Sequence, residues 1–307
     1  MPKVSVNVCC WNSAGTLDET LSSVWAQTYG DYEVVAVDDG STDATPDILE
    51  RHRKAGRPLV VHRQANAGLG AARNKAQSLS RGELLAILDH DDVWERDKLE
   101  RQVPLFADPA VAFVGSDATY IDAAGRSLGR YSDRAPLRRG DVLRELTLYN
   151  FVPCAAAVMR RSAVEKAGGW FKPDFRIAEE YELFLRLAGT GAFDYVPAPL
   201  VRIRVIPTSA GWDVGRERAE MRRIYAELFS RRPDLEGALG PAAVRVKRAG
   251  LWLSPEQADA LAGLPAPPKA RLAAAALLAA ARAGDKAVDA LLGLKRSAAR
   301  ARSKWLK

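Results

Sequence analysis

The chain is poor in cysteine: of 307 residues only three are Cys, with Cys9 and Cys10 adjacent and Cys154 alone. That set builds neither a disulfide framework nor a zinc-ligand spacing, and it suits a reducing compartment. Long apolar runs are also missing. The longest strictly apolar stretch, Leu272 to Ala281, has about half of the ~20 residues that a membrane-spanning helix needs. The N-terminus, Met-Pro-Lys-Val-Ser-Val, passes straight into a β-branched run without the regions of a secretory signal. These absences predict a cytoplasmic protein. No nucleic-acid-binding module is recognisable and the half carrying the candidate site is not basic, so nucleic acid is excluded as a partner.

What is present is the composition of an ordinary globular protein, 48% hydrophobic and 27% charged, with a formal net charge of +7. The excess gathers at the C-terminal end, where Lys295, Arg296, Arg300, Arg302, Lys304 and Lys307 stand with no acid among them. Such a run favours anionic partners, and with Trp305 it predicts contact with the inner face of an anionic membrane.

The first hundred residues alternate strand and helix patterns. Val4 to Cys10, Tyr32 to Val37, Leu59 to His62 and Leu84 to Leu88 read as strands. Between them, Leu17, Leu21, Val24 and Trp25 form a helical stripe, Thr45-Pro46 opens a second helix, and Gly68 to Leu79 reads as a third. The order predicts an α/β fold with a doubly wound, mostly parallel sheet flanked by helices. Short strands are expected at Ala112 to Val114, Ala155 to Met159, Tyr195 to Val196 and Val201 to Val205, with a helix from near Glu179. Arg216 to Ser230 reads as a helix burying Met221, Ile224, Tyr225, Leu228 and Phe229. After a break at Gly263 to Pro268 comes an Ala-rich, basic helical tail. The expected divisions are 1–103, the strand-helix alternation; 104–215, a second lobe on the same sheet; 216–262, helical; and 263–307, linker and tail.

In doubly wound sheets ligands bind beyond the carboxyl ends of the strands. Three strands here end in polar clusters: Trp11-Asn12-Ser13, Asp38-Asp39, and Asp89-His90-Asp91-Asp92. The last packs three carboxylates into four residues, which repel unless something cationic or hydrogen-bonding joins them. Hard carboxylate oxygens suit Mg²⁺ or Mn²⁺ shared with phosphate. The competing reading is a solvated acidic turn capping a helix that begins near Trp94. Asp38 and Asp39, in a small-residue turn, can accept hydrogen bonds from a base or ribose; otherwise they cap the helix after Asp43. Gly68, Gly70 and Arg73, at a helix start, offer amides and a cation to phosphate, or form a plain turn with a salt-bridged arginine. Glu179, Glu180 and Glu182 lie in a helix first turn, where the macrodipole already favours carboxylates; a functional role would make one a general base.

These motifs, taken in order, resemble glycosyltransferase family 2, which has the GT-A fold. The resemblance covers roughly residues 2–206. It rests on Val4-Ser5-Val6 to Asn12, Ser22 to Tyr29, Val37 to Asp43, Asn66-Ala67-Gly68 to Ala72-Arg73-Asn74, Leu88 to Asp92, Gly168-Gly169-Trp170-Phe171, and Glu179-Glu180 to Arg186. It implies that Asp39 contacts the nucleobase of a nucleoside-diphosphate sugar, with Cys9 and Asn12 lining the pocket, Asp38 alongside and Arg73 near the nucleotide. Asp89 and Asp91 fill the Asp-x-Asp motif for ribose and metal-diphosphate, with Asp92 in support. Asp91 and Asp92 are the expected ligands of Mg²⁺ or Mn²⁺. Glu180 matches the base that deprotonates an acceptor hydroxyl, which then attacks the anomeric carbon with inversion; Glu179 joins the substrate-binding set.

The chain departs from the family at Cys9-Cys10-Trp11-Asn12, where Pro-Thr-Tyr-Asn is usual, at Glu180 for Asp, and at Ile206 for a histidine. The Gln-x-x-Arg-Trp motif of processive synthases is absent, which implies one sugar per encounter. The expected acceptor is a glycan or lipid-linked precursor of a surface polysaccharide or glycolipid. Two rivals stand beside this reading. A nucleotidyltransferase needs a basic Gly-rich loop after the first strand, and Trp11 to Gly15 holds no cation. A catalytically silent GT-A domain that binds a nucleotide sugar or a partner glycosyltransferase is the other.

Overall fold

A computed structural model of the chain describes residues 2–133, 136–205, 213–288 and 290–292. They fall into two compact units, one within Met1–Leu146 and Asn150–Trp212, the other within Thr147–Tyr149 and Asp213–Lys307. Ile206 and the basic run from Lys295 lie outside the described residues.

The first unit opens with β1 (Val4–Cys10), α1 (Leu17–Trp25), β2 (Tyr32–Asp38), α2 (Thr45–Lys54), β3 (Leu59–Arg63), α3 (Leu69–Leu79) and β4 (Leu84–Asp89). It continues through β5 (Val93–Trp94), α4 (Lys98–Gln102), β6 (Val111–Ile121), β7 (Ser127–Arg130), α5 (Leu143–Leu148), β8 (Val158–Arg160), α6 (Arg161–Lys166), α7 (Glu179–Ala188) and β9 (Ala192–Arg204). The sheet runs β3-β2-β1-β4-β8-β6-β9-β5, with β7 on β6. The strands from β1 to β4 pair in parallel, as does β6 with β9, while β8 enters antiparallel between β4 and β6. The sheet is therefore mixed, parallel in the half that the strand-helix alternation covers.

Period-two alternation puts Val4, Val6, Val8 and Cys10 of β1 on one face, packed with Leu17, Leu21 and Val24 of α1 and Ile48 and Leu49 of α2. Cys9 points the other way, into a second cluster with Val35, Val37 and Ala72 and Ala76 of α3. Helices thus cover both faces of the parallel half. Small residues on α3 let it lie close to the sheet, which brings Arg73 to the carboxyl end of β1.

Several element expectations are corrected. The helix expected near Trp94 starts at Lys98, because Val93 and Trp94 pair with Arg202 and Val201 of β9. Ala155 to Met159 is a short 3₁₀ turn, Cys154–Ala156, followed by β8. The two expected strands around Tyr195 and Val201 are one, β9, which carries Pro197 and Pro199 through register shifts at Asp117 of β6. A bulge absorbs the missing ladder donors, so prolines that argue for a break are tolerated.

The second unit is helical: α8 (Val214–Arg231), α9 (Asp234–Leu239), α10 (Pro241–Arg248), α11 (Pro255–Leu261) and α12 (Pro268–Ala283). Met221, Ile224, Tyr225 and Phe229 of α8 are buried as expected, while Leu228 is half-buried.

Candidate functional site

Strand register assembles the site. Cys9 pairs with Asp89 of β4 and Cys10 with Asp38 of β2, so the acidic ends of both strands flank the end of β1. Beyond it Asn12 takes φ +48°, a left-handed conformation that asparagine tolerates. Its amide donates to the Ser41 hydroxyl and its Oδ1 accepts from the Thr42 amide, both at 2.9 Å. The β1 and β2 turns are thereby laced together.

Asp39 is buried and already engaged. Its Oδ1 accepts from Gln64 Nε2 at 2.8 Å and the Ala67 amide at 2.9 Å, and its Oδ2 accepts from the Gly68 amide at 2.8 Å. The amides before α3 that the sequence offers to phosphate are in part satisfied by this carboxylate. Asp38 accepts from the Ser41 amide at 2.9 Å and faces Arg63 Nε at 3.2 Å. Neither caps α2; Asp43 instead accepts from the amide of Thr45, at the start of that helix, and from that of Ala14.

Arg73 is the hub. Its guanidinium donates to Asp89 Oδ1 at 2.7 Å and to Glu179 Oε1 at 2.8 Å, and stands 3.9 Å from Glu180 Oε2. Cys154 Sγ lies 3.4 Å from Nη2, and the Phe171 ring lies 5.3 Å away under the guanidinium. The carboxylates around Arg73 outweigh its burial and hold it charged. The sequence assigns no site role to Cys154 or to Phe171, although Phe171 stands in a motif behind the family resemblance: a lone thiol and a core aromatic carry no local signal of what lies across the fold. Burial pushes the Cys9 thiol up to about 12, so it is a neutral wall rather than a nucleophile.

Glu179 and Glu180 reach this point because α7 is pinned from behind. Phe184 stacks on Phe113 of β6, Tyr181 Oη donates to the Leu146 carbonyl, and Arg186 donates to the carbonyls of Ala167, Gly169 and Trp170. Asn74, next to Arg73, brackets the Phe171 backbone through both its amide groups. The two carboxylates then differ sharply. Glu179 is 2% exposed and locked to Arg73, whereas the Glu180 side chain is 22% exposed. Burial and the Glu179 charge raise the Glu180 carboxyl to about 8, with Arg73 opposing.

The acidic turn after β4 is held by its backbone. The Thr16 hydroxyl donates to the His90 carbonyl at 3.0 Å, and the Thr20 hydroxyl sits between the carbonyls of His90 and Asp92. Arg204 donates to the carbonyls of Asp91, Asp122 and Ala123 and to Glu19. Asp92 spends Oδ1 on the Arg204 amide at 2.9 Å and is buried. Among the described residues the Asp91 carboxylate takes a hydrogen bond from no other residue, and burial, with Asp89 nearby, raises its pKa. A half-buried carboxylate in that condition fits a cation. Among the described residues no three His, Cys, Asp or Glu side chains are grouped to hold a metal by themselves, so the fit is to an ion shared with a ligand's oxygens, with Asp91 as the open protein donor.

The Glycosyl transferase family 2 model matches residues 5–168. The chain is 31% identical over 197 residues to the teichuronic acid biosynthesis glycosyltransferase TuaG of Bacillus subtilis, covering 63% of this chain and 75% of that one. It is 28% identical over 191 residues, 62% of this chain and 72% of the relative, to the UDP-Glc:alpha-D-GlcNAc-diphosphoundecaprenol beta-1,3-glucosyltransferase WfaP of Escherichia coli. Among solved structures, the mannosyltransferase PcManGT from Pyrobaculum calidifontis, in complex with GDP-Man and Mn²⁺, superposes with a TM-score of 0.61 at 24% identity. That match covers 97% of this chain and 80% of PcManGT. The likeness shows that the fold is of the GT-A type.

Proposed function

The chain belongs to glycosyl transferase family 2, and from that membership we propose that it moves one sugar from a nucleoside-diphosphate donor to an acceptor hydroxyl with inversion. One observation carries the assignment of roles. Asp89, at the end of a central strand, and Glu179 and Glu180, at the start of α7, converge on the single guanidinium of Arg73.

Asp89 and the Asp38-Asp39 turn bind the donor's nucleoside, with Cys9 and Asn12 as pocket wall, and Arg73 orients Asp89 towards it. Glu180 is the general base: it is the more open of the two first-turn carboxylates, and its raised pKa matches a group that must take up a proton. The acceptor oxygen gives that proton to Glu180 and bonds to the anomeric carbon as the bond from that carbon to the diphosphate oxygen breaks on the opposite face. Glu179, ion-paired with Arg73, fixes the helix start from which Glu180 projects. Asp91, backed by Asp92, is the residue that would hold Mg²⁺ or Mn²⁺; such an ion supplies charge neutralisation to the departing diphosphate.

TuaG and WfaP support a role in cell-surface polysaccharide synthesis, and the diphosphoundecaprenol in the name of WfaP supports a lipid-linked acceptor. No helix among the described residues is long and apolar enough to cross a membrane. We assign contact with an anionic membrane to the six basic residues from Lys295 to Lys307; liposome co-sedimentation with and without 295–307 tests it, and equal binding ends the idea.

The central experiment is nucleotide release from a panel of nucleoside-diphosphate sugars with Mn²⁺, comparing wild type with D91A and E180Q. Release that falls at least a hundredfold in both variants is expected. Equal release by all three would leave only a silent binding domain. NMR of the product's anomeric configuration checks inversion.

A further inference from the structure

We propose that the C-terminal helical unit carries an anion site for an organic phosphate ester, where arginines of α8 and α10 line a cavity of about 680 Å³. The site stands apart from the donor chemistry and rests on nothing in it.

The cavity wall is built by a close approach. Gly250 follows α10 at φ +74°, and a Cβ there would meet the Arg218 carbonyl oxygen at 2.5 Å and Arg222 Cγ at 2.7 Å. Only glycine lets α8 lie so near in that conformation. Arg218 is buried, donating Nε to the Ala249 carbonyl at 3.1 Å and Nη2 to Asp285 at 2.6 Å. Asp285 in turn accepts from Arg222 on both oxygens at 2.9 Å. Arg222 is therefore held on the wall by a carboxylate that a buried arginine has already fixed.

Arg248 is held in the same way by Glu236. Arg245, three residues earlier and on the same face of α10, lines the cavity, and its side chain makes no ion pair or hydrogen bond among the described residues. Among the described residues three wall guanidiniums, those of Arg222, Arg245 and Arg248, thus stand with two carboxylates, those of Asp285 and Glu236. The excess positive charge favours an anion, and the guanidinium fork suits the oxygens of a phosphate monoester. Val244 and Ala281 give the cavity an apolar side, which favours a phosphate attached to a carbon skeleton over the inorganic ion. The volume is in the range of small-molecule sites.

A soluble ester and a phospholipid headgroup share this chemistry. The test uses the full chain, with glycerol 3-phosphate by titration calorimetry and phosphatidic acid in phosphatidylcholine vesicles by co-sedimentation. Arg245 is exposed and its side chain has no partner among the described residues, so R245Q leaves the fold intact; R245Q/R248Q is the second variant. Saturable binding of either probe is expected, weakened about tenfold in R245Q and further in the double variant, with nucleoside-diphosphate affinity unchanged. Glycerol 3-phosphate binding identifies a soluble ester, and binding confined to vesicles a headgroup. Absence of binding to both probes overturns the proposal, as does equal binding by wild type and both variants, which would trace any vesicle affinity to the basic C-terminal run.

Discussion

Arg73 and Glu179, 106 residues apart in the chain, form a buried ion pair at 2.8 Å. The pair ties the helix that follows the third strand to the helix that carries Glu180, the proposed base, and Asp89 shares the same guanidinium.

Removing that cation strands two carboxylates at once. R73M should cost about 3–5 kcal/mol of unfolding free energy, the usual loss when one partner of a buried pair is deleted. R73K, which keeps the charge but loses the fork, should cost less. Urea denaturation measures both; a loss below about 1 kcal/mol for R73M would show that Glu179 finds another partner.

The Glu180 carboxyl, raised to about 8 by burial and by Glu179, must be ionised to accept a proton. Activity, as kcat/KM, should climb with pH, reach half its plateau near 8 and level off above it, and E179Q should move that midpoint down. For stability the sign is opposite. An acid whose folded pKa lies above the unfolded value of 4.5 releases its proton more readily when unfolded. Stability therefore falls as pH rises from 4.5 towards 8, and E180Q should flatten that slope. A pH-independent rate between 6 and 9 would remove Glu180 from the base role.

Chelation with EDTA should abolish transfer, with Mn²⁺ or Mg²⁺ restoring it. D91N should raise the metal concentration for half-maximal rate at least tenfold, since Asp91 is the open donor at the acidic turn. D92N, whose carboxylate is committed in part to the Arg204 amide, should show itself mainly as lost thermal stability. Identical metal curves for wild type and D91N would argue against the assignment.

Gly82 precedes β4 with no room for a side chain: a Cβ would lie 2.5 Å from the Ser5 amide nitrogen and 2.8 Å from the Val4 carbonyl carbon. Backbone cannot yield as a side chain can. G82A should therefore destabilise by about 1–3 kcal/mol, read as a lower midpoint in thermal denaturation, with the donor's KM unchanged in the folded enzyme.

The parallel half of the sheet was legible because each of its segments obeys a local rule. β1 to β4 are short β-branched or apolar runs, and the helices between them repeat their apolar residues at helical spacing. The acidic strand ends were legible for the same reason: a cluster of carboxylates after an apolar run needs a partner wherever it sits. The mixed half was legible only in pieces: short strands were expected within β6, β8 and β9, but not their lengths or pairings. β8 has only three residues, and β9 runs through two prolines by means of a bulge, so each is a strand only because a neighbour completes its ladder.

The sequence by itself determined the alternation of β1 to β4 with α1 to α3, the location of Asp38, Asp39, Asp89, Asp91 and Asp92 at one sheet edge, and the presence of carboxylates at the start of α7. These follow from spacings of two and of 3.6 residues, which are properties of the chain alone. Only the tertiary structure decided which residue answers those charges and which carboxylate stays reachable. Local rules treat Glu179 and Glu180 alike, since both sit in a helix first turn. Their difference arises when α3 delivers Arg73 against one of them and buries it, leaving the other half open with its proton held more tightly. Burial and long-range pairing belong to the folded surroundings, and no window of neighbouring residues contains them.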